Sequence, residues 1–529
     1  MRTPITVCLL SFALPIVAQN ADFEKFRQQQ RASFEQFRND QQDKYDAFRE
    51  SVNQQYADFM RQAWAEFPVR EADVPAEEER VEPVEYEESV GSADKSTKDN
   101  GEVEAEVSRE PQFATNWSLS FRSSAKEEKT PARQSRQIVA DPAVAVVPTP
   151  AAAPEPIAPV NPQETDYKRV PVAYYGSTIT LGFPTTDNLR LGSLGEDALA
   201  DAWKLLSGKQ YDITVKTALD ARQANRLCDW AYMDLLRAAT EQQYGKTNEA
   251  VLMQAFLMTQ SGYRVRLAKV ADRLFMLVAS KYQIYNMRYL SVEGTKFYVT
   301  GDYKGERLQM CPSKFDKEQS LSLQLAALPK FGESPTPKRK LTSKKGVTAS
   351  VSVNRNLIDF FRQYPQANID GDFTTRWAAY ANTPLDKSIK DELYPPLERT
   401  VLAMNERDAV GILLNWVQTA FKYGYDDEVW GGDRAFFTQE TLYYPESDCE
   451  DRAILFSRLV RDLLGLDVAL VYYPGHLAAA VAFKGQVDGD WIECNGRKYV
   501  VCDPTYINAP VGLTMPGMEN KTAKIIMLK

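Results

Sequence analysis

Ser447-Asp448-Cys449-Glu450-Asp451-Arg452-Ala453, continued by Ile454-Leu455-Phe456 and closed by Gly465, decides how the chain is read. Asp448 is a strong N-cap residue, the apolar positions that follow keep helical spacing, and Gly465 suits the left-handed residue that ends a helix. The spacing predicts a helix over 449–464 with Cys449 in its first turn. There the unsatisfied backbone N–H groups and the positive end of the macrodipole favour a thiolate, while Asp448, Glu450 and Asp451 oppose it. A first-turn N–H also suits the oxyanion that forms when a carbonyl is attacked.

Downstream, 467–473, 477–483, 490–494 and 497–502 read as strands, and upstream 406–423 reads as helix. Asn495-Gly496 is a two-residue hairpin signal. Its register sets Cys494 against Arg497, so no disulfide between Cys494 and Cys502 is expected. A thiol near neutral pH needs a base, usually imidazole, and the chain holds one histidine. His476, in Tyr473-Pro-Gly-His-Leu477, opens a strand close after the helix-start cysteine. Asp503, in Val501-Cys-Asp-Pro-Thr-Tyr506, ends a strand at the same sheet edge, where a carboxylate fixes an imidazole tautomer; alone, Asp before Pro is a turn signal.

In the order Cys449, His476, Asp503, these residues resemble the transglutaminase-like superfamily over roughly 400–510. The resemblance implies an α+β, papain-like domain over 351–529, with cysteine at a helix start and His and Asp on adjacent strands. It implies acyl transfer through a thioester on a protein or peptide substrate: Cys449 as nucleophile, His476 as base, Asp503 as orienting acid. Hydrolysis, by a protease or amidase, is the leading expectation. A protein-crosslinking transglutaminase would use the same residues, and a non-catalytic envelope scaffold or adaptor is the alternative of a different class. Neither cofactor nor metal is expected: one histidine excludes His-rich zinc sites, the cysteine spacings match no thiolate cluster, and no phosphate-binding glycine loop is present. The loop 424–448, with Trp430, Phe436, Phe437, Tyr443 and Tyr444, reads as a cleft wall or as core.

The half before it, 168–330, reads as a related, degenerate α+β domain. Residues 213–241 read as one helix, with Leu219, Leu227, Trp230, Met233 and Leu236 on a shared face, and 263–268, 273–280 and 296–300 as strands. Leu219–Trp230 lies over Asn405–Trp416, Gly262–Leu267 over Gly465–Leu470, and Gly294–Val299 over Gly496–Val501. If the two halves are copies, the second carries an insertion between Trp416 and Cys449. Arg273 stands where His476 would be and Lys246 or Asn248 where Cys449 would be, so this half is expected to be catalytically dead.

From Phe23 an aromatic pair recurs every eleven residues: Phe23/Phe26, Phe34/Phe37, Tyr45/Phe48 and Tyr56/Phe59, with Phe67 beyond. Eleven residues is close to three helical turns, so the rings share a stripe. Residues 20–67 are read as one long amphipathic helix whose stripe is covered by self-association, by the protein's own globular part, or by an envelope partner. Residues 68–167, acidic and then Ala-Pro-rich, and 331–350, with Lys338-Arg339-Lys340, read as disordered or solvated linkers. Residues 1–19 read as a secretory signal peptide, which places the protein in the periplasm or outside the cell, with no transmembrane segment after cleavage. At 529 residues, 44% hydrophobic and 26% charged, the chain can form more than one folded unit. With 63 basic against 72 acidic residues, a net charge of −9, the chain as a whole carries no electrostatic footprint for nucleic acid, and none is expected as a partner.

Overall fold

The computed structural model of the chain describes residues 18–72, 81–86, 135–146, 152–160, 162, 166–305, 307–311, 317–369, 371–519 and 521–529. The signal peptide expected at 1–19 lies outside these apart from Ala18 and Gln19, and so do 87–134 of the expected linker. The fold is mixed α+β. No helix among the described residues is long and apolar enough to cross a membrane.

The long N-terminal helix forms, but as Ala18–Met60 rather than to Phe67. The chain turns at Arg61–Gln62, and Trp64 folds back so that its indole N–H donates to the Met60 carbonyl at 3.0 Å, satisfying a helix-end acceptor. Phe67 belongs instead to the strand Ala65–Phe67, which pairs with Leu308–Met310. The last repeat of the stripe is covered by the protein itself. Tyr56 stacks on Trp203 with centroids 5.2 Å apart, and the side-chain oxygen of buried Asn53 accepts from Trp203 Nε1 and Gln260 Nε2.

The first half places the helices Asp212–Ala224, Asp229–Tyr244 and Asn248–Gln260 before a seven-stranded sheet. The single helix expected over 213–241 is two. Arg226 takes a left-handed φ of 48° and Cys228 is extended, which ends the first helix and leaves Leu219 and Trp230 only partly buried. At the centre of the sheet the order is Val265–Val270, Arg273–Ser280, Thr295–Val299, Arg288–Val292, all antiparallel.

The second half repeats that order. Helix Cys449–Leu464 precedes Asp467–Tyr473, His476–Ala482, Arg497–Cys502 and Trp491–Cys494, again antiparallel and in that spatial sequence. Each of these elements begins 201 to 203 residues after its counterpart, which fits the strand alignments read from sequence. The alignment of Leu219–Trp230 with Asn405–Trp416 does not hold, because the former spans a helix break and the latter an N-cap and an unbroken helix. The counterpart by position of Glu406–Ala420 is Asp229–Tyr244; three residues, Gly245–Thr247, then lead to Asn248, whereas the whole of 421–448 leads to Cys449.

Two expected linkers hold structure. Ala140–Val146 pairs in parallel with Ala523–Met527 and so becomes the edge of the second sheet, a position that tolerates Pro142. Ile138 is buried beside it, and Val81–Tyr86 lies along the loop after Asp503, with Tyr86 N–H on the Ile507 carbonyl at 2.8 Å. Composition argued against a core here; what orders these segments is pairing with a finished sheet. In 331–350 the basic run is not solvated linker: Arg339–Thr342 pairs with Thr348–Val351, and Arg339 donates to the carbonyls of Leu442, Tyr444 and Pro445. The principal core also crosses between the halves, joining Trp203 and Phe256 to Phe361, Trp377 and Leu470.

Candidate active site

Helix Cys449–Leu464 begins as its sequence requires. The Asp448 carboxylate accepts from Asp451 N–H at 3.4 Å and the Asp451 carboxylate accepts from Asp448 N–H at 3.3 Å, a reciprocal cap; Gly465 closes the helix at φ 62°. Asp451 also accepts from Phe436 N–H at 2.8 Å, which ties the 424–448 loop to the start of this helix.

The Pro474-Gly475 turn, with Gly475 at φ 78°, sets His476 at the first position of its strand, opposite Tyr473. His476 Nε2 lies 2.8 Å from Asp503 Oδ2, and both residues are 2% exposed. The other Asp503 oxygen accepts from the N–H groups of Thr505 and Tyr506, at 2.9 and 3.2 Å, so the carboxylate is aimed by its own turn. His476 Nδ1 is buried and has no hydrogen-bond partner. The backbone N–H of Leu477, the next residue along, lies on the side of the Cys449 thiol and eases its ionisation, so the start of the helix and the start of the histidine strand lie side by side.

The thiol is half-buried, and its surroundings hold the proton on it. Burial, then the carboxylates of Glu450 and Asp448, push Cys449 well above the ordinary thiol range, and its S–H points to Glu450 Oε2 at 3.4 Å. The acids themselves are strained electrostatically. Desolvation and mutual repulsion raise Asp448, Glu450 and Asp451 well above the usual carboxylate range and push Asp426 up to about 8. Arg376 is the counter-ion, 2.5 Å from Asp433 and 3.8 Å from Glu450. Asp426, Asp433 and Glu450 each bring an oxygen within 4.8 Å of the others, as do the ligand atoms of Asp448, Cys449 and Glu450, so both groupings have the size of a cation site.

Sequence reasoning missed the residues that hold this arrangement. Gln418 Nε2, on the preceding helix, donates to the carbonyls of Asp503, Tyr506 and Ala509 and pins the aspartate loop. Arg452, buried within the Cys449 helix, donates to the carbonyls of Gln418 and Phe421. Neither is signalled locally: a glutamine at a helix end carries no mark of a loop 85 residues away. Of the loop aromatics, Phe436 and Phe437 are core, Phe437 stacking on Phe361 at 4.1 Å. Trp430 and Tyr444 instead gather with Phe436 round the Arg434 guanidinium, which lies 4.3 Å from the Trp430 ring centre.

Comparison of the chain with protein-family models, with curated proteins and with solved structures finds no match. Geometry alone speaks for the site. In the first half, Asn248 opens the helix as Cys449 does and Arg273 opens the strand as His476 does. Asn248 Oδ1 accepts from the N–H of Leu274 at 2.8 Å, the same strand position whose N–H lies on the side of the Cys449 thiol. Of the two candidates read for the cysteine position, Asn248 is the one that occupies it. The strand that ends before Asp503 has its counterpart in Thr295–Val299, where register puts Gly301 in place of the aspartate.

Proposed function

We propose that the chain is an exported cysteine-dependent amide hydrolase of transglutaminase-like type, acting on protein or peptide through a thioester. The observation that carries the reading is the buried His476–Asp503 pair at 2.8 Å with Nδ1 left without a partner, on a strand that starts beside the first turn of the Cys449 helix. With Nε2 on the carboxylate, the tautomer is fixed and Nδ1 is the nitrogen left to act as base. In the step proposed, the Cys449 sulfur attacks an amide carbonyl while Nδ1 takes the thiol proton. The C–N bond then breaks, the proton passes to the leaving amine, and water, deprotonated at the same nitrogen, releases the acid and restores the thiol. An amine in place of water would give cross-linking.

The raised thiol favours a second reading, a non-catalytic scaffold, since a nucleophile needs thiolate. Iodoacetamide labelling of the whole protein separates the two. An enzyme shows Cys449 alkylated faster than an exposed model thiol, the rate falling to the model value in His476→Gln, together with new N-termini in a protein substrate that vanish in Cys449→Ala. Labelling no faster than the model thiol, with no cleavage and no amine incorporated at glutamine, would sink the enzyme.

A further inference from the structure

Among the described side chains, the ring stripe on the N-terminal helix is buried at its C-terminal end and exposed before it. Tyr56 is 3% exposed against Trp203, but Phe26, Phe34, Phe37, Tyr45 and Phe48 are between 42% and 66% exposed on a helix that runs on from the docked part. The same face is therefore buried at its last repeat and carries exposed rings in the described repeats before it.

The docked end shows what the face accepts. Each repeat carries an acid after its first ring and an arginine after its second: Glu24/Arg27, Glu35/Arg38, Asp46/Arg49. At the docked end Arg49, 6% exposed, pairs with Asp212 at 2.7 Å, and Asp46 faces Lys209 at 3.4 Å. The partner surface thus presents a base and, three residues on, an acid, running alongside the stem's acid and base. A second stem laid antiparallel presents that same order, because its Arg38 is then met before its Glu35.

We propose that the stem's exposed rings are covered by the stem of a second copy of this chain, packed antiparallel about a two-fold axis with Glu35 opposite the second copy's Arg38. That register brings the Phe34 and Phe37 rings of the two stems within two residues of one another, about 3 Å along the axis. A two-fold interface must be self-complementary, and this one is in charge as in apolarity. Five rings, each about half exposed, offer roughly 100 Å² apiece, about 500 Å² per stem before the flanking Gln and Arg methylenes are added, against ~800 Å² per partner in a standard interface.

Sedimentation equilibrium of the whole mature protein at micromolar concentration tests it. The wild type sediments as a dimer, and Phe34→Ser with Phe37→Ser as a monomer of unchanged circular dichroism. Glu35→Arg and Arg38→Glu, each placing like charges opposite one another twice per dimer, each raise the dimer Kd about tenfold. The double variant E35R/R38E, in which the order of charges is reversed on both stems, returns it to the wild-type value. A monomeric wild type overturns the proposal, whether free in solution or floating with phosphatidylglycerol vesicles, and so does a double variant no tighter than the singles. Neither readout depends on catalysis, so this inference fails or stands apart from the proposed enzyme activity.

Discussion

At the residue scale, the three candidate catalytic groups were legible because each sits on a strong local signal: an N-cap for Cys449, a Pro-Gly turn for His476, an Asp-Pro strand end for Asp503. Local signals fix where a side chain starts. They do not fix what surrounds it, so Gln418, Arg376 and the Asp426–Asp433–Glu450 pocket were invisible, their contacts being long in sequence. If His476 is the base, His476→Gln lowers kcat about a hundred- to ten-thousandfold with a far smaller change in KM. Asp503→Asn, which keeps the shape but reverses the tautomer preference, falls in the same direction; a raised KM with kcat unchanged would assign both residues to substrate binding instead. The acid pocket sets a pH dependence whose sign is fixed. Asp426, ordinarily near 4, is pushed up to about 8 by burial and by Glu450, so the folded state binds its proton more tightly than the unfolded chain. Stability is then greatest below about 4 as far as this group is concerned, and is lost as pH rises from there to about 8. Thermal melts should show Tm falling across that window, and Asp426→Asn should flatten the fall; a Tm that climbs with pH in both proteins would contradict it.

Among elements, the four strands between 467 and 502 were read nearly residue by residue because buried, Val- and Ala-rich runs between turns leave little choice of structure, whereas Ala523–Met527 of the same sheet was not read. The break at Asn225–Cys228 was not, because apolar spacing carries straight through it and the left-handed Arg226 has no sequence signature. That miss also misled the alignment of the halves: a helix seen as continuous was matched to one that is. The repeated sheet order, and Asn248 in the role of the thiol, now carry the likeness better than sequence did. The Cys449 helix ends at Gly465, φ 62°, with nothing within 4 Å of where a Cβ would stand. Gly465→Ala therefore meets no clash and measures only the backbone cost, about 1 kcal/mol of unfolding free energy in urea, with Gly465→Asn costing less. A loss of several kcal/mol would mean that the helix end is held by something other than its dihedral angle.

Over the whole molecule, the expectation of two folded units joined by loose linkers gave way to a chain that laces itself together. Composition reads 68–167 as unable to form a core of its own, but an edge strand needs no core, only a partner with open N–H and C=O groups. Ala523–Met527 offers those groups, and Ala140–Val146 takes them, with the Ile138 N–H on the Trp491 carbonyl at 2.8 Å starting the attachment at the opposite edge of the sheet. Ile138, 2% exposed, packs among Ile492, Tyr499 and Val501, so a segment distant in sequence fills part of the same core that supports the strand of His476. If that core is shared in this way, Ile138→Ala removes buried methyl groups at a cost of about 3 kcal/mol, lowering the midpoint of urea unfolding for the second half and raising protease sensitivity around 476–503. An unchanged midpoint would mean that the segment only rests on a sheet already complete without it.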